Sequence, residues 1–362
     1  MLRGLLYIVN IAVLVALVLA CLCCNVQPSV AWPLSFLGLG FPVIVLTLVA
    51  LLIISGIARR RIFWVNLIAL LVSAPIIRTV VSFHKPSTPQ GVKIMSYNVK
   101  NFDLYNWSGN KETRHNIMRL IDREAPDVIC FQEYYTDDVE FSNTSYLRDS
   151  LGYTYHYVLT TYEKSYPEKG TNIQRHLQWG IAIFSRHQII DTGVVAFSHM
   201  GNNQCIYADL LIKGKPLRIY NTHLQSIHLG YDDYDTIEEL SENQSTNWYR
   251  VKNILRKIKR AFVKRAHQAD VLHARLSQHE GSKILCGDFN DAPVSYAYHT
   301  ISAGMQDAFI EKGLGFGKSF TNRFGIFRID YILVDPKIKI NSYQSIREEL
   351  SDHYPVMATV DL

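Results

Sequence analysis

Hydrophobic positions run in two rhythms along the chain, and the change falls near residue 84. Before it, apolar residues are almost unbroken: Leu5–Cys24, Phe36–Ala58 and Ile62–Phe83 are long stretches with hardly a charge. Each is long enough to cross a hydrocarbon core of about 30 Å as a helix. The third is weakened by Asn66, Pro75 and Arg78. Arg78 lies near its far end, where a long side chain can reach the headgroups. An arrangement with two crossings and Ile62–Phe83 on the surface stays open.

After a Pro/Ser/Thr linker, residues 84–90 (HKPSTPQ), the apolar runs shorten. Strand-like segments recur at Val92–Tyr97, Val128–Phe131, Gly180–Ser185, Ile206–Ile212, Leu217–Asn221, Lys283–Cys286, Ile329–Val334 and Val356–Val360. Between two of them, Glu112–Glu124 puts Ile117, Leu120 and Ile121 on one helical face, with Pro126 just beyond. Many strands and few helices predict sandwiched sheets covered by helices rather than a regular βαβ winding. The expected organisation is a transmembrane region over 1–83 (about 5–24, 36–58 and 62–83), the linker 84–90, and one globular domain over 91–362.

Charge changes the picture at the amino terminus. Arg3 precedes the first stretch and Arg59, Arg60 and Arg61 join the second to the third, while Asn25–Pro33 has no Lys or Arg. The positive-inside rule then puts the amino terminus and the arginine triplet in the cytoplasm. Three crossings deliver the globular domain to the far side, the periplasm if the membrane is a bacterial inner membrane. Val18–Cys21 (VLAC) loosely fits a lipoprotein cleavage box; cleavage there would leave a two-span hairpin and the same outward-facing domain. The net charge of +5 over 362 residues selects no partner. Six cysteines without metal-ligand spacing read as separate buried thiols.

The chemistry sits where the strands stop. KIMSYN ends on Asn98, CFQE on Glu133, YNTH on His223, and CGDFN supplies Asp288 and Asn290. IDYILV carries Asp330 at its start, and SDHYPV puts Asp352 and His353 before the last strand. One such residue is turn chemistry. Six strand ends loaded with carboxylates, imidazoles and amides are not, because Gly or Ser would close turns as well.

In this order SYN, FQE, NTHL, GDFN, IDYI and SDHYPV, with GIAIFSR at Gly180–Arg186, resemble the endonuclease/exonuclease/phosphatase superfamily over Val92 to the carboxyl end. The resemblance implies a four-layer αββα sandwich, two mostly antiparallel sheets flanked by helices. It also implies divalent-metal-dependent hydrolysis of a phosphate ester by in-line attack of an activated water. That reaction needs charge neutralisation, an aligned water and a protonated leaving group. Glu133 is a natural hard-oxygen ligand for Mg²⁺ (or Mn²⁺), and Asn98 would complete the site. Asn98 and Asn290 can donate to phosphoryl oxygens, and Asp288 is a candidate to orient or deprotonate the water. His353 is the acid/base candidate, with an unperturbed pKa near 6.5. The resemblance adds Asp330 as its carboxylate partner, Asp352 near the metal, and His223 on the phosphate or leaving group. One position departs from the pattern: some members have an acidic residue two places after the first Asn, where this chain has Lys100, which favours a single metal.

Substrate is less legible. Tyr134–Gln178, read as inserts bordering the cleft, offers Asn172, Arg175 and His176 as contacts. Leu229–Glu242 is acidic, which disfavours a nucleic-acid groove across it. Trp248–Gln278 carries an apolar stripe at helical spacing and a basic first half, which reads either as a helix on the sheet with a solvated face or as a surface attracting phosphate-bearing lipid or polynucleotide. The phosphate ester expected is therefore nucleic acid or phospholipid. An inositol-phosphate type of phosphomonoesterase, or a silent phosphate-binding module, is the alternative. The bilayer is a partner through the N-terminal helices, and no protein partner is inferable.

Overall fold

The computed structural model describes residues 2–85, 90–168, 173–197, 203–227, 230, 232, 233, 236, 239, 247–321 and 327–362. The chain divides into two units: Met1–Val80 with Gln225–Val271 and Asn290–Ile301, and Val81–Leu224 with Leu272–Phe289 and Ser302–Leu362.

The first unit is built from helices α1 (Leu2–Leu22), α2 (Pro28–Ala31), α3 (Leu34–Leu39), α4 (Phe41–Ile57) and α5 (Ile62–Val80). Gly4–Leu22 and Ile62–Val80 are long and apolar enough to cross a membrane. The expected span Phe36–Ala58 is not continuous: α3 stops at Gly40, and Pro42 sits in the first turn of α4, where its missing N–H costs no hydrogen bond. That leaves α4 with 17 residues, about 25 Å of helix. The third stretch is helical to Val80 rather than to Phe83. Leu17, Ala20, Phe41 and Leu48 are buried between these helices, whereas Ile8, Leu46, Ile57 and Val72 point outward.

Helix α7 (Trp248–Gln278) follows the expected bounds, but residues 248–271 belong with the N-terminal helices rather than with a sheet. The Phe36 and Phe262 rings meet edge to face at 5.7 Å, and Gln27 Nε2 donates to Asp270 Oδ2 at 2.8 Å. Arg265 is buried; its Nε donates to Asp291 Oδ2 at 3.0 Å and its Nη1 to the Gln225 carbonyl at 2.9 Å.

The second unit holds two six-stranded sheets, numbered here in chain order. The strands are β1 (Val92–Asn98), β2 (Val128–Asp137), β3 (Tyr155–Pro167), β4 (Gln174–Ser185), β5 (Gln188–Val195), β6 (Cys205–Ile212), β7 (Lys215–His223), β8 (Lys283–Asp288), β9 (Gln306–Asp307), β10 (Asp330–Val334), β11 (Lys339–Ser345) and β12 (Val356–Asp361). One sheet runs β11–β12–β1–β2–β4–β3, the other β9–β10–β8–β7–β6–β5. Each has one parallel pair, β1 with β2 and β7 with β8, and is otherwise antiparallel.

Alternation along the central strands produces the layers. Ile94, Val128 and Cys130 point into the core between the sheets, facing Ile219, Ile284, Cys286 and Ile332. Their neighbours Met95, Tyr97, Ile129 and Phe131 point outward and are covered by Ile117, Leu120 and Ile121 of α6 (Thr113–Glu124). The expected two-sheet sandwich flanked by helices is present. Tyr134–Gln178, expected as inserts bordering the cleft, is mostly strand: β2 runs on to Asp137, and β3 pairs with β4 in a long hairpin. Its Tyr, Val and Thr content favours that pleated ribbon. All six cysteines are free thiols.

Candidate active site

The site begins as a register relation. In the second sheet Asp330 pairs with Asp288 across β10 and β8, and Asp288 pairs with His223 across β8 and β7. Three strands therefore present two carboxylates and an imidazole at one level of one edge. In the first sheet Asn98 ends β1 opposite Gln132 of β2. The next residue, Glu133, sits in a bulge where the β2–β4 register shifts, with its backbone at φ 49°. A bulge re-aims a side chain that the regular pleat would send elsewhere.

Two buried amides tie the sheets together below that edge. Gln132 Nε2 donates to Asn221 Oδ1 at 2.7 Å, and Asn221 Nδ2 donates to the carbonyls of Phe131 and Ala182 at 2.9 and 2.8 Å. Sequence reasoning passed over both; the signal available was an amide inside an apolar run, in CFQE and in IYNTH.

The groups then converge. Asn98 Nδ2 lies 3.1 Å from Asp288 Oδ2 and 3.3 Å from Glu133 Oε1. His223 Nε2 faces Asp288 Oδ2 at 3.6 Å and Glu133 Oε1 at 3.9 Å, and His353 Nε2 faces Asp288 Oδ2 at 3.7 Å. These last separations are too long for direct hydrogen bonds and short enough for one small group to bridge. On its other side His353 Nδ1 is hydrogen-bonded to Asp330 Oδ2 at 2.9 Å. Ser319 Oγ accepts from the Ile329 and Asp330 N–H groups, and the Phe320 ring meets His353 edge-on at 5.1 Å. Asp288, Asp330 and His353 are buried, while the Glu133 side chain is 36% exposed and so open to an entering ion or ligand.

The SDH segment is anchored to the end of β1: Ser351 Oγ donates to the Asn98 carbonyl at 2.9 Å. Lys100 Nζ lies 3.0 Å from Asp352 Oδ2 and 5.1 Å from the Trp107 ring centroid. It reaches there through a left-handed turn in which Lys100, Asn101, Phe102 and Asp103 all have φ between 44° and 59°. Non-glycine residues adopt that backbone only at a cost of roughly 1 kcal/mol or more each. Phe102, fully buried against Phe131 and Tyr134, holds the turn.

Burial alone would lower the pKa of His353, but the carboxylates of Asp330 and Asp288 outweigh it and hold it well above the ordinary range. Burial pushes Asp330 up, as does the Asp288 charge, against His353. The charges of Asp330 and Asp288 thus favour the imidazolium form of His353. Asp352 goes the other way: burial would raise it, yet His353 and Lys100 bring it below the usual carboxylate range.

Two donor sets could hold a cation. Asp288, Asp330 and His353 offer ligand atoms within 4.8 Å of one another. Glu133 and Asn98 offer hard oxygen chemistry at the open side. Orphaned atoms point to something further in the cleft: His223 Nε2 and Asp330 Oδ1 are buried without a hydrogen-bond partner among the described residues. The residues present fit a small hard divalent ion.

Other expected residues lie elsewhere. Arg175 is on β4, in an ion pair with Glu168 at 2.6 Å, and His176 meets Ser165 across the hairpin at 2.9 Å. Among the described residues, neither is hydrogen-bonded or ion-paired to the cluster. Asn172 lies outside the described residues, as does most of the acidic stretch 229–242. Asn290, two residues beyond β8, has φ 53° and opens a segment grouped with the first unit.

Fold and site together define a class, that of phosphoester hydrolases built on a two-sheet sandwich. The family model described as Endonuclease/Exonuclease/phosphatase family matches residues 95–353, and the chain belongs to that family, whose members are hydrolases of phosphoester bonds. A second model, described as a domain of unknown function, matches residues 3–80. No curated protein matches the chain. Among solved structures it is similar to an endonuclease/exonuclease/phosphatase from Beutenbergia cavernae at 18% identity, over 75% of this chain and 71% of that one, with a TM-score of 0.53. It is also similar to a mannosyl-6-phosphatase of Bacteroides thetaiotaomicron at 16% identity, over 75% and 100% of the two chains, with a TM-score of 0.50. A family protein of Bacteroides thetaiotaomicron, at 17% identity over 76% and 97%, also gives 0.50. At these identities the likeness is one of fold.

Proposed function

We propose that this chain is a membrane-anchored, divalent-metal-dependent phosphodiesterase, with residues 1–83 as its membrane region, 84–90 as linker and 91–362 as its catalytic domain. The observation that carries the reading is the set of gaps of 3.6–3.9 Å around Asp288, His223, His353 and Glu133. Carboxylates and imidazoles held just beyond bonding distance suit a phosphate group with its attacking water. Glu133, with Asn98 and with Asp352 nearby, would hold Mg²⁺ (or Mn²⁺). When bound, that ion supplies Lewis-acid neutralisation of the phosphoryl charge.

The chain's own residues supply the rest. Asp288, facing both imidazoles, takes the proton of the attacking water. His353, kept protonated by Asp330 and Asp288, donates to a phosphoryl oxygen as charge builds there. His223 assists the leaving group, and the amides of Asn98 and Asn290 orient the phosphate without adding negative charge. Lys100 neutralises Asp352, which favours one metal over two. Arg175 of β4, and Asn172, which lies outside the described residues, remain proposed substrate contacts.

Phosphodiesters of phospholipid or of nucleic acid are the substrate classes. A phosphomonoester is the second reading, favoured by the likeness of fold to a mannosyl-6-phosphatase. The test is turnover of bis-p-nitrophenyl phosphate and p-nitrophenyl phosphate by the full chain with Mg²⁺, followed by plasmid DNA, RNA, sphingomyelin and inositol phosphates. Chelation should abolish turnover reversibly, and Glu133→Ala should lower it at least about a hundredfold. Turnover that survives both chelation and Glu133→Ala would remove the metal from the reading.

A further inference from the structure

Helix α7 presents a face that neither the sandwich nor the cleft uses. Lys252, Arg256, Arg260 and Lys264 recur along it four residues apart, with Lys259 beside Arg260, and all five are exposed. Arg256, Lys259, Arg260, Val263 and Lys264 line an open groove of about 420 Å³. At the helix start Trp248 and Tyr249 are 79% and 67% exposed.

Position gives this face its meaning. The same helix packs on the connection that follows α1: Phe262 on Phe36, Asp270 on Gln27, and Lys259 Nζ at 5.8 Å from the Trp32 ring. That connection lies where an apolar helix would leave the hydrocarbon, which is headgroup depth. Basic side chains at that depth, on a helix that begins with exposed Trp248 and Tyr249, match the composition of membrane-interface helices. Val30, in the neighbouring α2, is 80% exposed, an apolar contact at the same level.

We propose that this face of α7 docks on the anionic headgroups of the bilayer that carries α1, so that the chain holds its membrane by a charged surface as well as by apolar helices. The occupant is a phospholipid surface of net negative charge, chosen over polynucleotide because the helix that carries the groove packs on the connection that follows apolar α1. The inference rests on the anchoring reading above. Each basic residue near an anionic surface strengthens the attraction roughly fivefold, and salt screens it.

The test uses the full chain in vesicles of phosphatidylcholine with photoactivatable analogues of phosphatidylglycerol or phosphatidylcholine, cross-linked sites being mapped by mass spectrometry. Cross-links to residues 248–264 should favour phosphatidylglycerol at least about tenfold. That preference should vanish in 1 M NaCl and in the variant Arg256→Gln, Lys259→Gln, Arg260→Gln, Lys264→Gln, while flotation with neutral vesicles is unchanged. Equal labelling by both lipids overturns the proposal, and the salt series on the unaltered chain decides this even if the variant does not fold. A photoreactive oligonucleotide that labels the same face and displaces the lipid overturns it in favour of nucleic acid. Loss of flotation from neutral vesicles at alkaline pH is a separate result: it overturns the anchoring reading and this proposal with it.

Discussion

Two buried aspartates of the sandwich, Asp307 and Asp330, lie on adjacent paired strands and have opposite surroundings. Asp307 Oδ2 accepts from Arg328 Nη1 at 2.7 Å while its Oδ1 caps a short helix through the Phe309 N–H at 2.9 Å. The guanidinium lies 4.5 Å from the Phe309 and Tyr331 ring centroids. One cation meets one anion there, packed on all sides. Asp330 instead bonds His353 within an anion-rich neighbourhood of Asp288, Glu133 and Asp352, against two imidazoles and Lys100, and there Asp288 and Glu133 stand 3.6–3.9 Å from the imidazoles. Burial is the same; the stoichiometry of charge and the spacing differ. A closed pair fixes structure, and an open, anion-rich cluster stores affinity for something from outside.

Substitutions can break or sharpen that contrast. Asp288→Asn should cost roughly a thousandfold in phosphodiester turnover, with the thermal midpoint little changed, as read by steady-state kinetics beside calorimetry. A large fall in the midpoint would make Asp288 a structural residue like Asp307. Arg328→Ala should do the reverse: about 3–5 kcal/mol of stability lost in denaturant unfolding, with the folded fraction retaining its turnover. Asn221→Ala, which strips the acceptor from Gln132 and the donor from two carbonyls, should cost about 1–3 kcal/mol. It should also loosen Glu133, so turnover should fall more than stability does. Asp330→Asn removes the negative charge nearest His353, so the histidine titration followed by NMR in metal-free protein should move down in pH. An unmoved midpoint would assign the raised pKa to Asp288 and Asp352.

How much of this the sequence discloses depends on where a strand sits in its sheet. Every strand expected from apolar runs is interior or flanked on both sides, as β1, β2, β7 and β8 are, with both faces covered. The strands passed over in the two large sheets are their four edges: β3, β5, β9 and β11. Edge strands shed apolar content because one side faces water, and YHYVLTTYEK or QIIDTGVV then reads as surface. The cluster was legible for a related reason, since polar residues ending apolar strands violate the local pattern at Asn98, His223 and Asp288. Glu133 could be located but its aim could not, because the bulge depends on the β2–β4 register and on no neighbour in sequence. Lys100 was read as a missing acidic ligand. Its ion pair with Asp352 depends on a left-handed turn held by buried Phe102, which nothing in VKNFD announces.

The bond from Gln27 to Asp270 carries a parity rule. Two groups that touch must lie on the same face of a bilayer, so the chain between them traverses it an even number of times. Between these residues the apolar segments are α4 and α5. Under the anchoring proposed above they would therefore thread the lipid as a pair or not at all, and α4, too short to persuade by length, would inherit its topology from its partner.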